Sequence, residues 1–299
     1  MGCLFAARLR LAGFPVALVE KVVERKEAIT RQGIRSEGVT GEHTVPVPVS
    51  SGKPSLPPDV MLIFVKSSET REAAEAVKTW LKPDTSVLTL QNGLGNVEIL
   101  AEIFGQRRVL GGATAEAATL LSHGRIRHAG QGKTLIAPLE RLDTKAQEIA
   151  SAFIRAGFET EVSQDLNSLL WGKLIVNVGI NALAAITRLK NGQLPQFPEA
   201  LVIIEEAVKE AATVAKARRV TLPYADPLSR VLEVCSATSD NVSSMLQDVL
   251  NKRPTEIDSI NGAVVREGKA LGIPTPINRT LTSLVRVIQQ TYLTRCGEV

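Results

Sequence analysis

Residues 60–95 read VMLIFVKSSETREAAEAVKTWLKPDTSVLTLQNGLG, and this stretch decides the fold. Val60–Val65 is an unbroken apolar run, which is typical of a strand buried on both faces. A helix from about Glu69 to Trp80 follows it, and Ser86–Leu90 is a second apolar strand. Val109-Leu110 indicates a third. Strands that alternate with helices in this way predict an α/β fold of the Rossmann type, with a doubly wound parallel sheet.

Polar residues follow both clear strands. Lys66 comes directly after the first strand, and Gln91-Asn92-Gly93-Leu94-Gly95 follows the second. Ligands of open α/β sheets bind at the carboxyl ends of the strands, so Lys66 and Asn92 are candidate ligand contacts. The alternatives are a solvated strand end for Lys66 and an ordinary turn for Asn92-Gly93.

The N-terminal residues resemble the later parts of a dinucleotide-binding βαβ unit. Residues 3–12 have helical periodicity, Gly13 is a typical helix end, and Val16–Val19 is a short apolar strand that precedes Glu20. In such a unit a glycine-rich turn precedes the helix, and an acidic residue about 20 positions later meets the ribose. Glu20 follows Gly2 by 18 positions.

The front of that unit is not in this sequence. It has no first strand, and only the last glycine of a G-x-G-x-x-G fingerprint is present, as Gly2. The first strand is central in such a sheet, and its loss predicts unpaired strand edges. We therefore expect the natural start to lie about ten residues upstream, where the rest of the fingerprint would be. The segment from Gly38 to Pro58 predicts edge strands and a loop.

The second half of the chain predicts a helical domain. Phe158–Val162 is a last candidate strand, and prolines fall between the helical segments, as helix breakers should. We place a dinucleotide-binding domain at residues 1–163 and a substrate-binding, dimerising domain at 164–299, with the active site in the cleft between them. The predicted helices are 146–156, 164–186, 198–218, 226–235, 240–250, 255–271 and 279–293.

One predicted helix carries a polar stripe. Residues 171–185 read WGKLIVNVGINALAA, and the polar side chains Lys173, Asn177 and Asn181 are spaced i, i+4 and i+8. On a helix they form one line, and polar groups on so apolar a helix need partners. An oxygen-rich small ligand would satisfy all three. The alternative is a helix edge at the protein surface with an extended lysine.

Composition excludes several classes of function. Thirty-five basic and 31 acidic residues are scattered along the chain, and only 4% of residues are aromatic, which disfavours nucleic-acid binding. No uncharged apolar stretch of membrane-spanning length is present. The three cysteines, Cys3, Cys235 and Cys296, have no metal-ligand spacing, so we expect no metal site and a reduced, cytoplasmic location.

The motifs resemble those of the 2-dehydropantoate 2-reductase (ketopantoate reductase) family, and the resemblance covers nearly all 299 residues. The matching segments are Met1-Gly2, Phe64–Lys66, Leu90–Gly95, Trp171–Leu174 with Asn177 and Asn181, Asn191-Gly192, Ser243–Asp248, and Thr255–Asp258 with Asn261-Gly262. The last two of these segments are specific, and their order and spacing fit the family.

The resemblance implies a role for each matching residue. Lys173 would be the catalytic proton donor to the C2 oxygen of the substrate. The substrate's hydroxyl and carbonyl oxygens would be bound by Asn177, Asn181 and Asn191, and its carboxylate by the segment that contains Asn241, Ser243 and Ser244. The cofactor would be contacted by Gly2, Lys66, Asn92, Ala118 and Glu256.

These residue types suit carbonyl reduction. Negative charge develops on the carbonyl oxygen, and a lysine whose pKa burial lowers can both stabilise that charge and deliver a proton. The resemblance implies NADP as cofactor. NAD is the alternative, because Glu20 favours a free ribose hydroxyl whereas Lys21 and Arg25 favour a 2′-phosphate.

The sequence leaves three functional readings open. The first is NADPH-dependent reduction of 2-dehydropantoate to (R)-pantoate in pantothenate biosynthesis, by a homodimer. The second is a paralogous reductase of another branched 2-oxo acid. The third is a truncated, nonenzymatic protein whose helical domain senses a ligand or dimerises, which the incomplete fingerprint favours and the complete set of candidate substrate contacts disfavours.

Overall fold

The computed structural model describes residues 1–50, 52–54, 56–140 and 144–294. Two compact units make up this part of the chain. The first contains Met1–Val65, Glu69–Gln91 and Asn96–Leu166, and the second contains the described residues from Asn167 onward. Two short segments that precede Asn167, Lys66–Ser68 and Asn92–Gly95, also belong to the second unit.

All the strands found among the described residues lie in the first unit. They are β1 Leu18–Val19, β2 Ile34–Gly38, β3 His43–Val45, β4 Val49–Ser50, β5 Val60–Ile63, β6 Ser86–Thr89, β7 Val109–Thr114, β8 Ala117–Ser122, β9 Arg125–Gly130, β10 Thr134–Pro138 and β11 Thr160–Val162.

The helices occur in both units, and the chain is mostly helical after β11. They are α1 Gly2–Leu11, α2 Val23–Gln32, α3 Thr70–Val77, α4 Asn96–Phe104, α5 Thr144–Arg155, α6 Leu166–Thr187, α7 Pro198–Ala217, α8 Pro227–Ala237, α9 Ser244–Leu250, α10 Asn261–Ala270 and α11 Pro276–Gln290. Short 3-10 helices occur at Ser67–Glu69, Lys78–Trp80, Gln106–Arg108 and Asn191–Gln196.

The main sheet has five strands in the order β11-β10-β7-β6-β5. Strands β5, β6 and β7 are parallel, with Val60 opposite Ser86 and Val87 opposite Val109. The predicted α/β class and the three predicted strands of this sheet are therefore confirmed. Strand β10 runs antiparallel to β7, which the sequence did not indicate.

Strand β1 is not part of the main sheet. It pairs in parallel with β4, Leu18 opposite Val49, in a separate two-stranded sheet. Within the described residues β5 is an edge strand of the main sheet. Strands β1 and β5 therefore lie in different sheets.

A third sheet was missed in part. It has four strands in the order β3-β2-β9-β8. The sequence indicated edge strands near β3 and β4, but β2, β8 and β9 of this sheet and β10 of the main sheet were not predicted. Strand β9 has an alternating pattern, with Arg125 and Arg127 exposed and Ile126 and His128 buried, and Gly124 forms the preceding turn with φ of +77°. That alternation was the available signal.

An aromatic cluster fixes α1 against the rest of the first unit. The rings of Phe5 and Phe158 are stacked with centroids 4.2 Å apart, and Phe153 meets Phe5 edge-on at 5.1 Å. All three side chains are at most 2% exposed. Since α5 and the turn before β11 supply Phe153 and Phe158, this cluster holds both ends of the first unit together.

Helix α6 is the central helix of the second unit. Ile175 and Val178 are fully buried, and a Cβ at Gly179 would lie 2.8 Å from a methyl group of Val231 in α8. The glycine therefore lets α8 approach α6 closely. The helix is long and apolar enough to span a membrane, but 72% of its most apolar window is buried in the protein, as in a core helix.

Prolines lie at helix boundaries as predicted, although α11 begins at 276 and not at the predicted 279. Pro198, Pro227 and Pro276 are the first residues of α7, α8 and α11. Two predicted helices begin later than expected, at Ser244 instead of 240 and at Asn261 instead of 255. The reason in the first case is that the Ser243 hydroxyl accepts the Leu246 N–H and caps α9 there.

Candidate active site

The predicted polar stripe exists on α6 in the second unit. Lys173 and Asn177 are half-buried and Asn181 is 5% exposed, so the alternative of a surface helix edge is disfavoured. The Nδ2 atoms of both asparagines are buried and have no hydrogen-bond partner among the described residues. Buried donors without partners cost free energy in the folded protein, and the amides are therefore suited to a ligand's oxygen atoms.

Lys173 has the electrostatic properties of a proton donor. Burial lowers the pKa of its ammonium group to about 8, although the carboxylate of Glu256 acts to raise it. A pKa near neutrality keeps a large protonated fraction at working pH and still favours proton release in the transition state. Lys173 and the two amides thus share one stripe of α6, and their roles in proton donation and substrate binding remain predictions.

The backbone just before Lys173 is bound by a tyrosine side chain. Tyr224 Oη donates a hydrogen bond of 2.8 Å to the carbonyl oxygen of Gly172, the residue before the lysine. Burial raises the pKa of Tyr224 to about 12, so the phenol remains a donor. A Cβ at Gly172 would lie 2.7 Å from Pro223, so only glycine allows this loop to pack against α6.

Glu256 joins two segments that are distant in sequence. Its buried carboxylate accepts hydrogen bonds from Ser67 Oγ at 3.2 Å and from Asn92 Nδ2 at 3.1 Å. The turn that holds Glu256 precedes α10 and is not part of a helix. Since Lys173 also interacts electrostatically with Glu256, the structure brings together three sequence-predicted residues and adds Ser67, which the sequence did not single out.

Lys66 is paired with a second buried carboxylate. Its Nζ lies 2.5 Å from Asp248 Oδ2, and the Asp248 side chain is 9% exposed. Burial raises the pKa of Asp248, and the lysine only partly offsets this effect. Asp248 lies in a motif quoted for the family resemblance, but no role was predicted for it. The pair holds Lys66 to α9 in the second unit.

The loop that contains Asn92 is docked on the turn that contains Glu256. Leu94 N–H donates to the Ser259 carbonyl oxygen at 2.9 Å, and Ser259 Oγ donates to the carbonyl of Glu256. A Cβ at Gly93 would lie 2.3 Å from the same Ser259 oxygen, and the φ of Gly93 is +83°. Glycine at this position is therefore required by both contact and conformation.

We expect Gly93→Ala to lower the free energy of unfolding by about 2 to 5 kcal/mol. The reason is that an alanine would be strained in the left-handed backbone conformation and its Cβ would also clash with the backbone of Ser259. Gly95→Ala is the matched control: its φ is +102°, but a Cβ there would meet only Arg266 Nη2, at 3.9 Å. The control should lose about 1 to 2 kcal/mol from strain alone. Urea unfolding measures both, and equal losses would show that the clash with Ser259 is relieved.

The other predicted substrate contacts lie around one turn of the second unit. Asn191 is 8% exposed, its Nδ2 donates to Thr238 Oγ1 at 2.9 Å, and its backbone N–H donates to the Asn241 carbonyl at 3.0 Å. The side chains of Asn241 and Ser244 are exposed. The hydroxyl of Ser243 caps α9, which is a structural role. The role of Ser243 in substrate binding remains a prediction.

The remaining predicted cofactor contacts are in the first unit. Gly2 is the first residue of α1, whose first turn contains no acidic side chain, and Ala118 is half-buried in β8. N–H groups of a helix's first turn have no partner within the helix, and together with its dipole they favour a phosphate. Glu20 directly follows β1, where a ribose would be bound. These features fit a dinucleotide.

No group of three or more potential ligands that could hold a metal ion occurs among the residues that the structure describes. Cys3 and Cys235 are free thiols, and Cys296 lies outside the described residues.

Two family models match this chain. The model described as "Ketopantoate reductase PanE/ApbA" matches residues 1–141, and the one described as "Ketopantoate reductase PanE/ApbA C terminal" matches residues 165–289. The chain belongs to the ketopantoate reductase family. A curated 2-dehydropantoate 2-reductase of Halobacterium salinarum is 36% identical over 92% of this chain and 91% of its own length. One of Archaeoglobus fulgidus is 35% identical over 97% and 95%.

Solved structures of ketopantoate reductases have the same fold as this chain. The PanE/ApbA family ketopantoate reductase of Ralstonia eutropha matches with a TM-score of 0.89 and 34% identity, over 97% of this chain and 95% of its own. A D-mandelate dehydrogenase with NADH and anilino(oxo)acetate bound also matches with a TM-score of 0.89, at 26% identity over 96% and 95%. The family is therefore one of nicotinamide-dependent reductases of small molecules.

Proposed function

We propose that this chain reduces 2-dehydropantoate to (R)-pantoate in pantothenate biosynthesis. The observation that carries the proposal is the buried stripe of α6, where a lysine with a pKa of about 8 stands in line with two buried amides that have unpaired donors. Membership in the ketopantoate reductase family and relatives named 2-dehydropantoate 2-reductase support it.

The chain's residues would orient the substrate and deliver a proton. A bound reduced nicotinamide supplies the hydride. The ammonium of Lys173 stabilises the charge that develops on the C2 oxygen and then gives it a proton. Asn177, Asn181 and Asn191 bind the hydroxyl and carbonyl oxygens of the substrate. Its carboxylate is bound by the segment with Asn241, Ser243 and Ser244.

The cofactor contacts are proposed on the same basis. They are Gly2, Lys66, Asn92, Ala118 and Glu256. Residues 1–163 would bind the cofactor, and residues 164–299 would bind the substrate. NADPH is the cofactor that the family resemblance implies, and NADH is the alternative that the contacts of Glu20 favour.

The proposal also includes a homodimeric assembly and a cytoplasmic location. The helical domain would form a homodimer, and the exposed side chains of Val202 in α7 and Val287 in α11 are apolar groups that such an interface would cover. A cytoplasmic location is supported by the free thiols of Cys3 and Cys235.

A second reductase function has one observation in its favour. The matching D-mandelate dehydrogenase has a different 2-oxo acid analogue in its structure, so the fold is compatible with other substrates of this class. A paralogous reductase of another 2-oxo acid is therefore the alternative. The nonenzymatic reading is disfavoured, because the second unit contains the complete set of predicted substrate contacts.

We expect the purified protein to oxidise reduced nicotinamide when it is given 2-dehydropantoate, as followed by absorbance of the dinucleotide. Its kcat/KM should exceed that for the analogue without the terminal hydroxyl by at least about 100-fold, since buried amides would lose a partner. Turnover of the analogue at an equal rate would favour the paralogous function. No turnover of either substrate would contradict both.

A further inference from the structure

Glu20 is fixed at the end of β1 by contacts to both of its carboxylate oxygens. Oε1 accepts the Val22 N–H at 2.9 Å, and Oε2 accepts a hydrogen bond from Arg25 Nη1 at 2.8 Å. The side chain is only 12% exposed, and the Glu20 backbone N–H is tied to Ser50 of β4. The carboxylate is therefore a preorganised group with a defined position and not a mobile surface charge.

Two cations near this strand end, Arg25 and Lys21, are paired with carboxylates. Arg25 pairs with Glu20, and its Nε is buried without a hydrogen-bond partner among the described residues. Lys21 Nζ lies 2.6 Å from Glu69 and 3.6 Å from Glu72. A phosphate that approached this position would have to compete with these carboxylates for each cation.

The Glu20–Arg25 pair lies beside the first turn of α1. Burial raises the pKa of the Cys3 thiol, and Arg25 lowers it while Glu20 raises it, so both charges act on the second residue of that helix. The first turn of α1 is the place where the dinucleotide's phosphates are expected. The pair is thus positioned for the adjoining adenosine ribose.

We infer that Glu20 selects NADH over NADPH, by accepting a hydrogen bond from a free ribose 2′-hydroxyl and by holding Arg25 away from a 2′-phosphate. Each carboxylate oxygen has a further lone pair, so Glu20 can accept this bond without losing its present contacts. A 2′-phosphate would instead meet a buried like charge. The inference rests on the proposed function, since it requires that the chain bind a nicotinamide dinucleotide.

The test is calorimetric titration of the full chain with NADH and with NADPH. We expect the unchanged protein to bind NADH at least about tenfold more tightly than NADPH. Glu20→Ala should strengthen NADPH binding by roughly tenfold to a hundredfold, because Arg25 becomes available as a phosphate ligand, and should weaken NADH binding. Adding Arg25→Ala to that variant should remove the gain for NADPH.

Glu24→Ala is the matched control, because it removes the same charge from an exposed position on the first turn of α2. It should change neither affinity by more than about twofold. Tighter binding of NADPH by the unchanged protein, or an unaltered preference in Glu20→Ala, would overturn the inference and leave the proposed function intact. Binding of neither dinucleotide would overturn the proposed function and the inference together.

Discussion

Lys173→Ala should lower kcat by roughly 10²- to 10⁴-fold, the range expected when a positioned general acid is removed. The structure gives the reason: this lysine, whose pKa burial lowers to about 8, is in line with two buried amides on α6. The affinity for dinucleotide should change little, since we place the residue at the substrate. Steady-state kinetics and calorimetric titration of the dinucleotide give the two quantities.

Lys190→Ala is the control for this prediction. Lys190 is another lysine of the second unit, but it is about half exposed and pairs with the exposed Asp240 at 3.3 Å. Its removal should leave kcat nearly unchanged. If Lys173→Ala retained near-normal kcat and only KM rose, Lys173 would bind the substrate's charge and another group would donate the proton.

Glu256→Gln should shift the basic limb of the pH profile to lower pH and lower kcat/KM at pH 8 by roughly tenfold to a hundredfold. The carboxylate acts to raise the pKa of Lys173 against the effect of burial, so its neutralisation lets that pKa fall below about 8. On the proposed role of Lys173 as proton donor, its acid form is the active one. Activity is therefore lost as pH rises through the lysine pKa, and the variant loses it earlier.

Asp258→Asn is the matched control for the glutamate. Asp258 lies two residues further along, is 63% exposed at its side chain and pairs with Arg286. The same loss of charge there should leave the pH profile in place. A lower rate for Glu256→Gln with an unmoved basic limb would mean that Glu256 acts through the hydrogen bonds to Ser67 and Asn92 and not through the charge of Lys173.

The elements that position the site were predictable where the sequence pattern is local. The stripe of Lys173, Asn177 and Asn181 could be predicted because helix α6 is uninterrupted and its spacing places them on one face. Strands β5 and β6 could be predicted from their apolar runs; β6 is fully buried, whereas β5, at the sheet edge, is mostly only partly buried. Prolines indicated the boundaries between helices, and Pro198 is the predicted start of α7.

The parts of the site that were not predicted from the sequence depend on contacts between residues that are distant along the chain. Asp248 and Lys66 are 182 positions apart, and Ser67 and Glu256 are 189 apart, so no local pattern reveals either pair. Without its partner, Ser67 is an ordinary polar residue after a strand. Strands β8 to β10 were missed for another reason: they are only five or six residues long, and an alternation over so short a run competes with a loop.

The assignment of Lys66–Ser68 and Asn92–Gly95 to the second unit limits how this protein could be rearranged by recombination. A chimaera that inherited only the residues after Leu166 would receive the buried carboxylates of Asp248 and Glu256 without the lysine, serine and amide that neutralise or bind them. Uncompensated buried charge is strongly destabilising. We therefore expect that substrate specificity can be exchanged between relatives by changing individual side chains, or by transferring the second unit together with Lys66–Ser68 and Asn92–Gly95. Transfer of the C-terminal part of the gene alone should not succeed.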